Sequence, residues 1–429
     1  MSRKTLLFLV IIIAIAILGL GVYLLFFTKP PIGNTTNTGV YYNPFGNYSG
    51  SATTTSTANQ TVPTTEENGN PTTYVNSATS PLTKIATLPI AGAESFERKT
   101  AGTATTTTIV RYTDRATGHT MDYNTTTRIL ATASNTTIPT IYRAWWSGGN
   151  LLAQFLDKDK QTIKTYAGIL PTTSTSTVAL SGSFLANDIY NLAISPKGNR
   201  VFYLQAGDNA VGAIANIDGS KRNQIFTFPF NEWATQWPNE NTITLTTKPS
   251  SNIAGFMYLL SSTGVMTKAL GGINGLTTRT SPSLNYSLYS ESTGGGISTA
   301  IYDLKKGLTT PLNHSTLPEK CLWSTLNKTV AYCAVPTNIA IGNYPDDWYQ
   351  GNVSFVDNIY KIDVSLPAMQ LLYSLPQDQS IDAINLFLDQ KENNLYFTNK
   401  NDYSLWHSHL IMALKQKRRL KTLKMQSKY

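Results

Sequence analysis

The residues best suited to binding chemistry are clustered in one short segment, 338–355, with the sequence NIAIGNYPDDWYQGNVSF. It brings together aromatic and acidic side chains: Tyr344, Asp346, Asp347, Trp348 and Tyr349. Aromatic rings with polar neighbours are frequent anchors for a protein or sugar partner. We therefore predict a binding site on a loop at this segment. The alternative is that the segment only packs over the rim of the folded domain.

Two cysteines suggest a covalent link. Cys321 and Cys333 lie at equal distances from Asn327 in the stretch CLWSTLNKTVAYC, which has a turn at its centre. Residues placed in this way on paired strands face each other, and a disulfide needs a Cα separation of about 5.5 Å. We predict a disulfide, with two buried thiols as the alternative. A metal site would need partners that the sequence does not reveal.

The sequence offers no recognisable catalytic motif. It has no Gly-x-Ser-x-Gly elbow, and the glycine-rich stretch STGGGIS at 292–298 lacks the Gly-Lys-Ser/Thr ending of a phosphate loop. Of the four histidines, His407 and His409 share one strand face without a third ligand, so we expect them at the surface or rim. We predict no catalytic residue, no metal and no cofactor.

The C-terminus forms a basic tail, residues 411–429. Its cations are Lys415, Lys417, Arg418, Arg419, Lys421, Lys424 and Lys428, and no acid accompanies them. They account for most of the formal net charge of +9, so the rest of the chain is nearly neutral. Such a tail suits anionic lipid, wall polymer or nucleic acid. A solvated tail is the plainer interpretation, and nucleic acid is the least expected partner.

The N-terminus predicts a membrane anchor. Residues 6–27 are apolar without a charge, long enough for a helix to cross the hydrocarbon layer. A cleavable signal is the alternative, but no small-residue cleavage site follows. Arg3 and Lys4 precede the span and Lys29 follows it, which favours a cytoplasmic N-terminus, residues 1–5, with the remainder outside. Residues 28–80 are rich in Thr, Ser, Asn, Gly and Pro and predict a disordered linker.

A short phrase recurs through the remaining sequence. Copies begin at Trp146, Ser195, Trp237, Ser281 and Trp323, with a looser one at Leu388. In the first five copies an asparagine follows at a fixed offset, and successive asparagines are 49, 42, 44 and 42 residues apart. Each copy predicts a turn, in which the asparagine is able to take the left-handed conformation, followed by an alternating apolar strand.

Repeats of three or four strands at this period predict a β-propeller at residues 81–410. The 41% apolar and 14% charged composition fits a folded, β-rich protein. Counting one earlier unit near 96–133 gives seven blades, with six or eight as alternatives. The last unit, 381–410, is one strand short, so we predict that 82–89 completes it and closes the ring.

The phrase Ser-Pro-Lys-Gly-Asn-Arg-Val-Phe-Tyr at 195–203, with Ile-Asp-Gly following at 217–219, resembles the WD40-like or TolB-type propeller repeat. The resemblance covers roughly residues 85–410. It implies the propeller fold, and it is compatible with binding scaffolds and with the substrate-gating domains of some peptidases. The sequence departs from that repeat in its asparagine after the turn and in the Trp-Ser or Trp-Pro start of three copies.

Together these features predict a single-pass protein of the cell membrane whose propeller lies outside the cytoplasm. We expect a binding or scaffolding module for a protein or glycan partner, not an enzyme. Two alternatives remain. One is a sensor or assembly subunit of an envelope complex, and the other is a polysaccharide lyase or hydrolase with its site in the central funnel of the ring.

Overall fold

The computed structural model describes residues 82–410, apart from residues 101, 103, 160 and 367. Within these residues the chain forms seven four-stranded antiparallel sheets. At five of the seven junctions between neighbouring sheets the first strands contact each other, and these include the junction of the first and last sheets. At the other two, β10 contacts β8 and β18 contacts the short 3-10 turn before β22. The sheets are therefore the blades of a closed, seven-bladed β-propeller, which confirms the predicted fold and blade number.

The first four blades follow the chain in order. Blade 1 contains β2 (Ile90–Lys99), β3 (Thr106–Asp114), β4 (Thr120–Asn124) and β5 (Leu130–Ser134). Blade 2 contains β6 (Ile141–Ser147), β7 (Asn150–Leu156), β8 (Ile163–Ile169) and β9 (Ser181–Phe184). Blade 3 contains β10 (Ile189–Ile194), β11 (Arg200–Gln205), β12 (Ala210–Asn216) and β13 (Asn223–Phe228). Blade 4 contains β14 (Trp233–Asn239), β15 (Thr242–Thr247), β16 (Ala254–Ser261) and β17 (Met266–Asn274).

The last three blades include the ring closure. Blade 5 contains β18 (Thr277–Thr280), β19 (Tyr286–Thr293), β20 (Gly296–Asp303) and β21 (Leu308–Pro311). Blade 6 contains β22 (Cys321–Trp323), β23 (Val330–Pro336), β24 (Asp357–Asp363) and β25 (Ala368–Ser374). A short helix, α1 (Asp346–Gln350), lies between β23 and β24. Blade 7 contains β26 (Ala383–Leu388), β27 (Asn394–Asn399), β28 (Leu405–His409) and β1 (Leu82–Ala86).

The ring closes because the two ends of the described chain share blade 7. β1 pairs antiparallel with β28, with Leu82 opposite Ser408 and Ala86 opposite Leu405. This confirms the prediction that the segment at 82–89 supplies the missing strand. Since β1 leads directly into β2 of blade 1, moving blade 1 away from the other strands of blade 7 requires breaking these hydrogen bonds.

The strands are apolar on both faces because each blade packs between two others. In β11, Val201 and Tyr203 join an apolar cluster with side chains of blade 2, whereas Phe202 and Leu204 join a cluster with blade 4. Alternate residues of a strand point to opposite sides of the sheet. The apolar runs in the repeats are therefore required by burial on two sides.

The turns of the repeat differ from the sequence prediction in one respect. In three of the five copies the left-handed residue is the one before the asparagine: Gly149 has φ of 85°, Gly198 of 72° and Leu284 of 54°. The asparagine is able to take this conformation but does not adopt it in any of the five copies. The asparagine instead works through its side chain, since Asn150 Nδ2 donates to the carbonyl of Gly198 in the next blade (3.3 Å).

The propeller has two distinct faces. On the turn face, the first strand of each blade connects to the second through the repeat turn. The opposite face, called the loop face here, carries the starts of the first strands and the connections between second and third strands. By strand direction, Leu82 and Leu410 both lie on the turn face.

Several sequence predictions lie outside the described residues. These are the membrane helix at 6–27, the linker at 28–80 and the basic tail at 411–429 with Lys415, Lys417, Arg418, Arg419, Lys421 and Lys424. In the part of the chain that the structure describes, no helix has the length and apolar character needed to cross a bilayer.

Candidate functional site

The 20-residue segment between β23 and β24, residues 337–356, is called the insertion here. It lies on the loop face and contacts three blades besides its own. Asp346 accepts a hydrogen bond from the backbone of Ser251 in blade 4 (2.6 Å), and Ser354 donates to Asn401 in blade 7 (2.6 Å). The backbone of Gly342 donates to Gly295 in blade 5 (3.0 Å). The insertion therefore bridges blades 4 to 7.

The aromatic side chains predicted as anchors point largely into the protein. Tyr344 and Trp348 are only 1% and 4% exposed, and they pack with Phe355 and Leu317 in one apolar cluster. These two rings are not available on the surface for a partner. The alternative prediction, that the segment packs over the rim of the folded domain, describes where these two rings lie. A binding role for the insertion as a whole stays a prediction.

The other three candidates also make internal contacts. Asp347 accepts a hydrogen bond from the backbone of Asn343 (2.7 Å), before helix α1. The Tyr349 hydroxyl donates to the Glu319 carboxylate, with distances of 2.6 and 2.8 Å to its two oxygens. With Asp346 bound to blade 4, all five residues hold the insertion in place.

Beneath the insertion lies a fully buried charge cluster. The Lys320 ammonium contacts Asp357 (2.8 Å) and Asp382, and all three side chains are 0% exposed. Lys320 ends a short 3-10 turn before β22, Asp357 begins β24, and Asp382 precedes β26. The loop-face ends of blades 6 and 7 therefore meet at one cation.

The two carboxylates of this cluster have different surroundings. Asp382 also accepts hydrogen bonds from Trp348 Nε1 (2.8 Å) and from the backbone of Phe355 (3.0 Å). Burial opposes ionisation of Asp382, but the Lys320 charge and these donors hold its pKa below the usual range. Burial raises the pKa of Asp357. The positive charge of Lys320 acts to lower this pKa, and the negative charge of Asp382 acts to raise it further. Asp382 is therefore the carboxylate with the larger number of donors, and Lys320 contacts both.

A second group of titratable residues lies beside this cluster and is partly exposed. Burial raises the pKa of Glu319 to about 7, against the lowering effect of the Tyr349 hydrogen bond and of the Lys320 and Arg279 charges. Burial also raises the pKa of Tyr349 well above its usual range. Arg279 lies on β18, the first strand of blade 5 and therefore next to the axis of the ring.

The predicted disulfide partners are bonded in the structure. Cys321 and Cys333 face each other across β22 and β23, with Cα atoms 4.1 Å apart, and their sulfur atoms form a disulfide. Cys321 directly follows Lys320, so the bond ties the strand that begins just after the buried cation to the strand that leads into the insertion.

Of the histidine pair expected at the surface or rim, His407 does not lie at the surface. Its ring is buried, stacks on Tyr396 with centroids 5.0 Å apart and has Nε2 3.0 Å from Asn394 Oδ1. Burial lowers the pKa of His407 to about 3, so it is neutral at physiological pH. Among residues 82–410, no group of three or more His, Cys, Asp or Glu is placed to hold a metal ion.

Sequence reasoning did not identify Lys320, Asp357, Asp382, Glu319 or Arg279. A weak signal was present for Lys320, Asp357 and Asp382, because each stands next to an apolar residue at or near a predicted strand, where a charge is unusual. Nothing in the sequence indicates that the first three meet, since the aspartates follow Lys320 by 37 and 62 residues.

Comparison with known proteins identifies similar folds only. No protein-family model matches the chain, and no curated protein matches it in sequence. Among solved structures, an oligogalacturonate lyase from Vibrio parahaemolyticus has a TM-score of 0.48 at 10% identity, covering 80% of this chain and 98% of the lyase. A streptogramin B lyase has a TM-score of 0.47 at 12% identity, covering 77% and 97%.

A third similar structure is the β-propeller domain of the Trilobed protease from Pyrococcus furiosus. It has a TM-score of 0.46 at 10% identity, covering 74% of this chain and 95% of that domain, and it is described as having an open velcro topology. In this chain blade 7 is closed by β1. Similarities at this level do not indicate an activity for this protein.

Proposed function

We propose that this protein is a membrane-anchored, extracytoplasmic β-propeller that binds a protein or glycan partner through its loop face. The anchor is the apolar segment 6–27, with the N-terminus in the cytoplasm and the propeller outside. The turn face carries both ends of the described chain. The loop face is therefore the face opposite Leu82 and Leu410, where the described chain begins and ends.

One observation carries the proposal: the insertion holds an exposed apolar side chain in a fixed position. Ile341 is 93% exposed. The backbone on either side of it is restrained, because Ala340 accepts a hydrogen bond from the Tyr344 hydroxyl (2.8 Å) and Gly342 donates one to blade 5. A pre-ordered apolar tip loses little conformational entropy on binding. This supports Ile341, and not the buried aromatic rings, as the point of contact with a partner.

Site-specific photo-crosslinking on intact cells tests the proposal. A photoreactive residue at position 341 is expected to give a discrete adduct, which mass spectrometry would identify. The matched control is position 265, because Val265 is also β-branched and 64% exposed but lies on the turn face. The proposal fails if position 341 gives no adduct, or gives the same adducts as position 265.

A polysaccharide-cleaving enzyme is the second candidate, and one observation favours it. Glu319 has a pKa of about 7 and hydrogen-bonds Tyr349 close to the axis of the ring, and such a carboxyl suits general acid–base chemistry. We expect any depolymerising activity of the full-length protein, followed by loss of polymer viscosity, to disappear in Glu319→Gln. Activity that survives this substitution would exclude Glu319 as its catalytic group.

A further inference from the structure

The guanidinium of Arg279, on the first strand of blade 5, forms neither a hydrogen bond nor an ion pair with any of the described residues, 82–410. Its neighbours Thr278 and Thr280 point to blade 4, where Thr278 contacts Thr246 (2.7 Å). Alternate side chains of a strand point in opposite directions. Arg279 therefore points towards blade 6, where Trp323 Nε1 donates to its backbone carbonyl (2.9 Å).

The nearest acid does not neutralise Arg279. Glu319 lies close enough for the two charges to affect each other, but the pair does not come within ion-pairing distance. The Glu319 carboxylate instead accepts a hydrogen bond from the Tyr349 hydroxyl, which lies 2.6 and 2.8 Å from its two oxygens. A guanidinium has five N–H donors, and those of Arg279 lie in a partly exposed site without an acceptor from the protein.

Electrostatics agrees with this geometry. Burial lowers the pKa of Arg279, which shows that its charge is incompletely compensated, and Glu319 opposes this shift. With a pKa of about 7, Glu319 is neutral in a substantial fraction of molecules at physiological pH. Neutral Glu319 no longer offsets the positive charge of Arg279, and the hydroxyl of its carboxylic acid is a further hydrogen-bond donor. An oxyanion would supply the acceptors and the negative charge that the site lacks.

We propose that Arg279, with Glu319 and Tyr349 at its side, binds an oxyanion at the junction of blades 5 and 6 beside the ring axis. The ligand class is a carboxylate or a tetrahedral phosphate or sulfate group, free or carried by a larger molecule. The planar guanidinium accommodates either through paired hydrogen bonds. This site is separate from the Ile341 contact, so failure of one proposal leaves the other standing.

Thermal unfolding of the full-length protein in non-ionic detergent tests the site. Sodium sulfate represents the tetrahedral oxyanions and sodium acetate the carboxylates, each compared with sodium chloride at equal ionic strength. At ten times Kd we expect a saturable rise in Tm of about 1–3 °C with at least one of the two. A rise that grows without saturating is a general salt effect. If neither anion gives saturation, the proposal is wrong.

Variants connect the effect to Arg279. In Arg279→Gln we expect the saturable rise to disappear, while Tm in chloride alone stays equal or increases because an uncompensated charge has been removed. Lys305→Gln removes an exposed cation from the turn face and should keep the full anion response. If Arg279→Gln does not fold, Arg279→Lys is the second variant. It keeps the positive charge but lacks the paired N–H donors of the guanidinium, so it should bind the anion at least tenfold more weakly. Unchanged binding in either Arg279 variant overturns the assignment.

The pH dependence gives an independent readout. The groups that act on Glu319 are Tyr349, Lys320 and Arg279. Of these four groups, only Glu319 titrates between pH 6 and pH 8, a range in which sulfate keeps a constant charge. We expect sulfate to bind more tightly at pH 6 than at pH 8, and Glu319→Gln to remove most of this difference. Equal affinities at the two pH values in the wild-type protein would contradict the role of Glu319.

Discussion

The carboxyl group of Glu94 joins blades 1 and 2, and it is buried away from water in this position. It lies on β2 and accepts hydrogen bonds from the backbone of Gly148 (2.8 Å) and Gly149 (3.1 Å) in the repeat turn of blade 2. Burial raises its pKa to about 7, although these donors and the Arg111 charge act in the opposite direction. Its contribution to stability therefore depends on pH.

The pH dependence has a definite sign. The pKa of Glu94 is higher in the folded state than the value of 4.5 for an unperturbed glutamate. The folded protein therefore holds the proton more tightly, and this stabilisation is complete below pH 4.5 and is lost as the pH rises through 7. We expect the wild-type protein to lose about 2–3 kcal/mol relative to Glu94→Gln between pH 5 and pH 8.

Urea unfolding of both proteins at the two pH values measures this difference. Taking the difference between the two proteins cancels the opposite contribution of His407, whose lowered pKa destabilises the fold as the pH falls below about 6.5. A constant gap between wild type and Glu94→Gln from pH 5 to pH 8 would show that Glu94 does not titrate in this range.

At the scale of elements, the insertion and three strand ends depend on one cation. Lys320 precedes β22, and its two aspartate partners mark the starts of β24 and β26. Asp382 also accepts the Trp348 indole N–H from α1. A buried ion pair is weak evidence of net stabilisation, but removing only the cation leaves buried negative charge uncompensated.

We therefore expect Lys320→Met to destabilise the propeller by about 3–5 kcal/mol, measured by urea unfolding at pH 7.5. The penalty should shrink on acidification, because protonation of the aspartates removes the uncompensated charge. Lys306→Met is the matched control, since its partner Asp303 is 3.9 Å away and Lys306 is 72% exposed. That surface pair should contribute less than about 1 kcal/mol. Similar losses in both variants would argue against a special role for Lys320.

At the scale of the whole molecule, ring closure relies on non-covalent contacts of β1. Leu82 packs in the apolar cluster that contains Phe397 and Trp406, and Ala86 packs between blades 7 and 1 with Ile90. The connection from β1 to β2 runs over residues 87–89, where Leu88 is 64% exposed. The chain can therefore be cut there without removing β1 from its contacts.

We expect a protein with a protease site inserted at Leu88 to stay in one piece after cleavage. The N-terminal fragment should co-elute with the propeller in size-exclusion chromatography in detergent and separate only in denaturant, because β1 stays paired with β28. A matched variant cleaved within the linker at 28–80 should release its N-terminal fragment without denaturant. Release of the fragment after cleavage at Leu88 would contradict closure by β1.

The sequence by itself was sufficient for the architecture, because the information is local and repeated. Each blade carries its own turn phrase and its own doubly apolar strands, so six similar copies identify the fold even though each alone is weak. The incomplete last unit predicts the closing strand for the same reason. The positions of Cys321 and Cys333 also follow from local symmetry about one turn, and the structure contains their disulfide.

The tertiary structure alone decided what the loop face presents. Whether Trp348 is exposed depends on Asp382 and Phe355 being beneath it, and whether Arg279 has a partner depends on where Tyr349 directs Glu319. The Trp348–Asp382 and Tyr349–Glu319 contacts join residues 34 and 30 positions apart in the sequence. Side-chain direction in a long loop follows from the surfaces it covers, and those surfaces exist only once the ring has closed.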